Sequence, residues 1–417
     1  MIPSPILAPA PGVPGDPGSL SGLQAGALLD PGVFQRLRRR IMLEGCKWDA
    51  QVGDIDTLAP FPLLLPRAAW RELARLAEHL AVETVALEQA VLARPEFLGS
   101  LGLPGAVRRA LVAKGDPTPT AARVMRFDFH PTQDGWRISE VNSDVPGGYT
   151  ESSFFTDLIA AHYPGFVPAG DPAGALVAAL AACAGPGGCV ALLSAPGYLE
   201  DHQILSFLAS RLEAAGISAV LANPAQLRWT AGRAALLGRP VNALVRFYQG
   251  EWLARLPARF GWCHFFRNGL TPVANPGCAV ISESKRLPLL WDRLKADVPA
   301  WRSVLPETRD PRDAAWLRDD GWVIKSAYSN TGDTVGHRSL RLRAEWREMC
   351  LAACFNPGGW VAQRRFESLP VATPAGPRHA CVGVYTVNGL AAGAYARLAT
   401  KPLIDFESAD AALLIEA

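Results

Sequence analysis

Charged residues make up only 19% of this 417-residue sequence, against about 25% in an average soluble domain. The 41 basic and 39 acidic residues leave a formal charge of +2 and form no block of one sign. A protein held to nucleic acid by a basic stripe is therefore excluded, and no nucleic-acid partner is expected. No run of 18 uninterrupted apolar residues exists; the most apolar segment, 173–195, is broken by Gly185-Pro186-Gly187-Gly188. A membrane-spanning helix, and with it a membrane partner, is not expected. The opening MIPSPILAPAPGVPGDPG lacks the basic start of a secretory signal. Eight cysteines form no C-x-x-C pair, and Cys350 and Cys354 have no His or further Cys beside them. Reduced thiols in a cytoplasmic protein are the expectation, ahead of a zinc site.

What is present is apolar: 49% of residues are hydrophobic, enough to offset chain entropy, so disorder over most of the chain is excluded. The length exceeds one ordinary core, so two or three packed subdomains are expected. Glycine (38) and proline (35) are plentiful but carry no period, which excludes collagen-like and repeat architectures. Residues 1–30 read as a flexible Pro/Gly-rich tail. Residues 68–93 place Leu73, Leu76, Leu80, Val85 and Leu87 near helical spacing, predicting a long amphipathic helix that ends before Pro95. Residues 123–142 predict a β-hairpin around Asp134-Gly135. Beyond Pro164, strands at 189–194, 217–221 and 241–247 with a helix at 200–215 predict a βαβ unit with a parallel sheet. From 276 onward short strands (CAVIS, GWVIKS, GWVAQRRF, CVGVYTV, AAGAYARL) alternate with loops and two helices. The fold class is α/β or α+β.

In the hairpin, alternation puts Arg126, Asp128 and His130 on one face and Met125, Phe127 and Phe129 on the other. Glu140 and Asn142 share a face with Trp136 and Ile138. A turn centred on Asp134 pairs Asp128 with Glu140 and Arg126 with Asn142. Two facing carboxylates repel. A divalent cation between them reverses that sign, and oxygen ligands from Asp, Glu and Asn suit magnesium. An exposed hairpin with solvated charges accounts equally for the same residues.

Of the 41 basic residues only six are lysines: 47, 114, 285, 295, 325 and 401. A lysine retained among 35 arginines marks a place where a compact ammonium is needed, or simply chance survival. Lys285 follows CAVIS. Lys325 ends GWVIK and leads into SAYSNTGDTVG, whose Gly332 and Gly336 leave backbone N–H groups free to close over phosphates. An ordinary hairpin loop fits that segment too, and neither GxxxxGK[ST] nor GxGxxG occurs. Gln363 reads either as a hinge amide for an adenine edge or as a surface glutamine. Arg397, among small neighbours in GAYARL, suits an arginine reaching into a cleft. No Ser/His/Asp arrangement emerges, and of the seven histidines only His130 lies beside the acidic face.

The ordered set RFDF, EVN, RFYQGEWLARLP, ISESKRLPLLWD, GWVIK with its loop, VAQRRF and VYTVNGLAAGAYARL resembles the glutathionylspermidine synthase family across roughly 120–400. The resemblance implies a circularly permuted ATP-grasp fold with an inserted pre-ATP-grasp-like βαβ subdomain. Residues 31–164 then hold a helical region and the metal-binding hairpin, 165–275 the α/β subdomain, and 276–417 the ATP-binding lobes. It implies ATP and Mg2+ as cofactors, with Asp128, Glu140 and Asn142 as magnesium ligands. Lys285, Lys325, Gly332 and Gln363 would bind ATP, and Arg126 and Arg397 would steady the phosphoryl group and the acyl intermediate. The implied activity is an ADP-forming carboxylate–amine ligase working through an acyl phosphate on small molecules, a peptide and/or a polyamine. Where the family places substrate-contacting serines, this chain has Val145-Pro146-Gly147-Gly148. A ligase for a different peptide or amino acid, or an inactive nucleotide-binding protein, stand as alternatives.

Overall fold

The computed structural model describes residues 22–52, 55–328 and 334–417. The expected hairpin is formed by the strands Val124–Thr132 and Gly135–Asn142. Asp128 lies opposite Glu140 and Arg126 opposite Asn142, as expected, but by a different route. The turn is the two residues between the Thr132–Gly135 pair, with Gly135 at φ +93°, so pairing starts one residue out of the expected register. A bulge at Ser139, between the Phe129–Ile138 and Asp128–Glu140 pairs, restores it. The bulge corrects the expected faces as well. Ile138 and Trp136 pack with Phe127 and Phe129 into the core, away from Glu140 and Asn142.

This hairpin edges a large sheet whose strands run Gln24–Ala25, Leu63–Leu65, Ala409–Glu416, Leu390–Ala399, Arg378–Val387, Val124–Thr132 and Gly135–Asn142. Apart from the parallel pair of Leu63–Leu65 with Ala409–Glu416, these neighbours are antiparallel. Strands from before residue 142 thus pair with strands after residue 378, the arrangement a permuted chain order implies. One sheet face carries Met125, Phe127, Phe129, Val382, Val384, Ala394 and Ala396, in one core with Leu73, Ala77, Leu80 and Leu87. Those four lie on the helix Arg67–Leu92, matching the predicted span to within a residue. The other face is covered at one end. There Tyr385, Val387 and Tyr395 pack with Leu176 and Leu180 of the helix Pro172–Ala184, and Ala412 and Leu414 pack with Leu37 and Ile41 of the helix Pro31–Leu43. The rest of it is left for the site.

A second, wholly parallel sheet has the order Ser218–Ala222, Cys189–Ser194, Ala243–Phe247, Val273–Ala274, Thr120–Ala122. The expected βαβ unit is its centre, but its last strand comes from ahead of the hairpin, outside 165–275. A small antiparallel sheet of Thr308–Arg309, Trp360–Arg364, Trp322–Ser326 and Val335–Gly336 forms the C-terminal lobe. Trp322, Ile324, Trp360 and Ala362 of this sheet pack with Trp316 and with Trp346, Met349 and Ala353 of the helix Arg343–Phe355.

Two expectations are corrected. CAVIS is helical (Gly277–Ala279, then Val280–Glu283), not a strand: a short apolar run buried all round has no period that separates the two. The tail does not reach residue 30, because Gln24–Ala25 pairs with Leu63–Leu65 and Leu23 and Leu29 are buried. Residues 1–21 lie outside the described residues. Among the described residues no helix is long and apolar enough to cross a membrane.

Candidate functional site

The uncovered part of the second face of the large sheet floors a cleft of about 370 Å³. Arg126, Asp128, His130, Glu140 and Asn142 line it from the hairpin, Cys381, Tyr395 and Arg397 from the strands beside it, and Lys325 and Gln363 from the C-terminal lobe. Strand pairing sets the rows: Glu140–Asp128–Gly383 across one, Cys381–Arg397–Asp410 across the next. Gly383 is needed where it stands, because a Cβ there would meet Arg126 Cδ at 2.9 Å.

Arg126 is locked in place. Its Nε and Nη2 donate to the two oxygens of Asp128 at 2.7 and 2.9 Å, and its Nη1 donates to the Gly147 carbonyl at 3.2 Å. The Tyr385 hydroxyl donates to the same carbonyl. The 145–148 loop is thereby folded over the arginine, with Gly148 at φ +88° against the rings of Tyr385 and Tyr395. Asn142 Nδ2 donates to Asp128 Oδ2 at 3.0 Å.

The two nucleotide-lysine candidates meet the hairpin. Lys285 Nζ is 3.0 Å from Glu140 Oε2, and Lys325 Nζ donates to the bulged Ser139 carbonyl at 3.0 Å. Burial pushes the Glu140 carboxyl up, but Lys285 and Lys325 outweigh it and hold it at about 2. Burial draws the Lys285 ammonium down, yet Glu140 and Glu283 leave it raised. Burial wins at Lys325, which drops to about 8. Buried His130 falls to about 4, its Nε2 hydrogen-bonded to Ser139 Oγ at 3.0 Å, so it stays neutral.

Gln363 is buried at the cleft wall. Its Oε1 accepts from Lys325 at 2.7 Å and its Nε2 donates to Thr308 at 3.0 Å, so both ends of the amide hold protein partners. Arg397 reaches the cleft, where its Nη2 donates to the Asp405 carbonyl at 2.8 Å. Gly332 lies outside the described residues. The strands flanking its loop pair through Ile324–Gly336 and Lys325–Val335.

The distant segments are tied together by buried polar links. Glu283 Oε2 accepts the N–H groups of Ser143 (2.8 Å) and Asp144 (3.0 Å), joining the end of the hairpin to the segment carrying Lys285. Asp144 in turn binds Arg246, whose side chain is fully buried, and accepts the Gly250 N–H at 2.7 Å. That gives the RFYQGEWL segment a structural job.

Asp128, Glu140 and Asn142 fit a magnesium ion by donor chemistry. Two carboxylates and one amide oxygen share a sheet face, with Glu140 held ionised and open cleft above for phosphate and water ligands. Asp128 accepts two bonds from Arg126 and one from Asn142, and of the roughly four lone pairs of a carboxylate it keeps one for a metal. Among the described residues no group of three or more His, Cys, Asp or Glu has metal-binding placement.

Sequence reasoning missed the far end of the cleft, where Lys47, Asp49, Glu151, Glu200, Asp201 and Asp410 gather. Lys47 stood out as a retained lysine, but nothing in the linear sequence brings it to Asp410. Ser139 was missed because a bulge leaves no mark in alternation.

A family model described as glutathionylspermidine synthase preATP-grasp matches residues 65–414. No curated protein matches the chain. Among solved structures it is similar to a glutathione synthetase-like effector from Globodera pallida in apo form, with TM-score 0.63 and 13% identity over 92% of this chain and 97% of that one. D-alanyl-alanine synthetase A from Vibrio cholerae O1 biovar eltor aligns at TM-score 0.32 and 10% identity over 51% and 67%. With 350 consecutive positions matched and the motif-bearing strands paired as described, the chain belongs to the glutathionylspermidine synthase preATP-grasp family.

Proposed function

We propose that this protein is an ATP- and magnesium-dependent carboxylate–amine ligase that forms an amide through an acyl phosphate and releases ADP, a glutathionylspermidine synthase-like reaction in the cytoplasm. One observation carries the reading: Lys285 and Lys325, 40 residues apart, converge on the strand whose Glu140 faces Asp128 and adjoins Arg126. Fixed ammonium and guanidinium groups beside two carboxylates are what a site needs to hold a polyphosphate and a carboxylate together.

In this reading a substrate carboxylate oxygen attacks the γ-phosphorus of ATP, the bond to ADP breaks, and an acyl phosphate forms. An amine then adds to the acyl carbon, loses a proton, and phosphate leaves. Lys285 and Lys325 would hold phosphate oxygens, and Gln363 would fix Lys325. Arg126, immobilised by Asp128 and Gly147, would present donors to the charge that develops on the transferring group without reorganising. Arg397 would do the same for the tetrahedral oxygen. A magnesium ion held by Asp128, Glu140 and Asn142 would neutralise phosphate charge.

The 145–148 loop favours a carboxylate substrate other than glutathione. It offers backbone where the family's hydroxyls would stand, and the Gly147 carbonyl is already taken by Arg126 and Tyr385. The test is phosphate release from magnesium-ATP across a panel of peptides, amino acids and amines, with hydroxylamine added to trap the acyl phosphate as a hydroxamate. Release that needs a carboxylate and yields hydroxamate is expected. A protein that binds no magnesium-ATP, or whose ATP turnover ignores every carboxylate offered, sinks the proposal.

A further inference from the structure

Lys47 has no part in the steps above, yet it is the most heavily paired lysine in the cleft. Its Nζ lies 2.5 Å from Glu151 Oε1, 3.1 Å from Asp49 Oδ1 and 3.4 Å from Asp410 Oδ2. Its side chain is 7% exposed. Burial lowers its pKa, but the three carboxylates outweigh that and raise it well above the ordinary value, so it stays charged. A compact ammonium with three rotatable donors can face three carboxylates from three segments at once. That accounts for a lysine here in a chain that otherwise favours arginine.

The segment carrying it is pinned from two sides. Gln203 Oε1 accepts the Trp48 N–H at 2.8 Å and the Asp49 N–H at 3.3 Å, and Thr57 Oγ1 donates to the Asp49 carbonyl at 2.8 Å. Glu200 and Asp201 line the same end of the cleft. Two buried oxygens there, Glu151 Oε2 and Asp201 Oδ2, accept no hydrogen bond among the described residues. The acidic end therefore has capacity for a further donor, but Lys47 already stands in the middle of it and Arg397 beside Asp410.

We propose that Lys47 is a tethered cation filling the acidic end of the cleft, so that the amine admitted there brings one positive charge, as an amino acid amide or a peptide amino terminus does. Di- and polyamines are turned away, because a second ammonium would be brought against the buried Lys47, and like charges repel. The inference rests on the ligase reading and narrows its acceptor.

The test is calorimetric titration of the full chain with spermidine and, separately, with glycinamide, at low and high salt. The wild type is expected to take glycinamide but show no saturable spermidine binding, and Lys47→Arg is expected to behave alike. Lys47→Met is expected to gain salt-sensitive spermidine binding, at least about tenfold tighter than any trace in the wild type. Lys47→Met/Asp410→Asn removes one of the carboxylates left bare and serves if the single variant does not fold. Spermidine binding by the wild type as tight as by Lys47→Met overturns the proposal, as does a wild type that takes neither amine. The wild-type titrations decide even if neither methionine variant folds. Magnesium-ATP titrated into the same preparations separates the two readings. A protein that binds ATP and also spermidine sinks this inference alone, and one that binds no ATP sinks the ligase reading.

Discussion

Arg126 and Asp128, two residues apart on one strand, form a two-point ion pair in which Nε meets Oδ1 at 2.7 Å and Nη2 meets Oδ2 at 2.9 Å. Alternation puts both side chains on the same face, and Gly383 on the neighbouring strand leaves room for the arginine to lie flat. Lysine cannot reproduce that fork. Arg126→Lys and Arg126→Ala are both expected to slow ligation by about 100- to 1,000-fold, the usual loss for one fixed charge-stabilising donor. Arg126→Ala also leaves Asp128 buried without its partner, at a cost of about 3–5 kcal/mol. Steady-state kinetics and denaturant titration check the two effects separately; a lysine variant with wild-type turnover rules out the role.

Gly148 is expected to tolerate no side chain. Its φ is +88°, and an added Cβ would sit 2.5 Å from Tyr385 Oη and 2.8 Å from the Tyr395 ring. Gly148→Ala combines backbone strain with a collision against buried rings and should destabilise the fold by about 2–4 kcal/mol. Gly165 has nearly the same φ, +87°, with nothing within 4 Å of its Cβ position. Gly165→Ala should therefore cost only the strain. Thermal melts of the two variants side by side test this, and equal losses would show that the tyrosine contact counts for nothing.

Gln363 offers a direct choice between two roles. If the amide works by holding Lys325, Gln363→Leu should weaken ATP binding by about tenfold, the loss of one hydrogen bond to a charged group, and leave the preference for ATP over GTP unchanged. A variant that keeps its ATP affinity but loses its preference among bases would show the amide reading a purine edge instead. Competition binding with both nucleotides makes the measurement.

The polar face of the hairpin was legible because side chains in a strand alternate whatever surrounds them. Asp128 and Glu140 were expected opposite each other, and they are, although the turn and the Ser139 bulge each shift the register and compensate. Nothing in the sequence announces a bulge, so Ile138 and Trp136 were placed on the wrong face. CAVIS was misread for a related reason: burial on every side removes the contrast that periodicity needs. The acidic end was hidden for a topological reason. Lys47 and Asp410 are 363 positions apart and meet because Ala409–Glu416 runs through the middle of the large sheet. Local pattern carries no trace of that. The convergence of Lys285 on Glu140 is equally non-local and entered only through the order of motifs shared with a family.

Glu251 sets the sign of a pH effect away from the lysines. Burial, with Asp144 nearby, raises its carboxyl to about 7, and its Oε2 accepts no hydrogen bond among the described residues. Between the ordinary value of 4.5 and about 7 the folded protein keeps a proton that the unfolded chain has released. Its contribution to stability therefore falls as pH rises through that window, and the full penalty holds above pH 7. Glu251→Gln keeps the shape without the charge. It should match the wild type near pH 4 and be more stable by about 1–3 kcal/mol at pH 8, some of the full shift being lost to solvent around the carboxyl. Urea titrations at the two pH values provide the comparison. A gain of the same size at pH 4 would show that the charge is not the cause, and a loss at pH 8 would show that the ionised carboxylate has a partner that stabilises it.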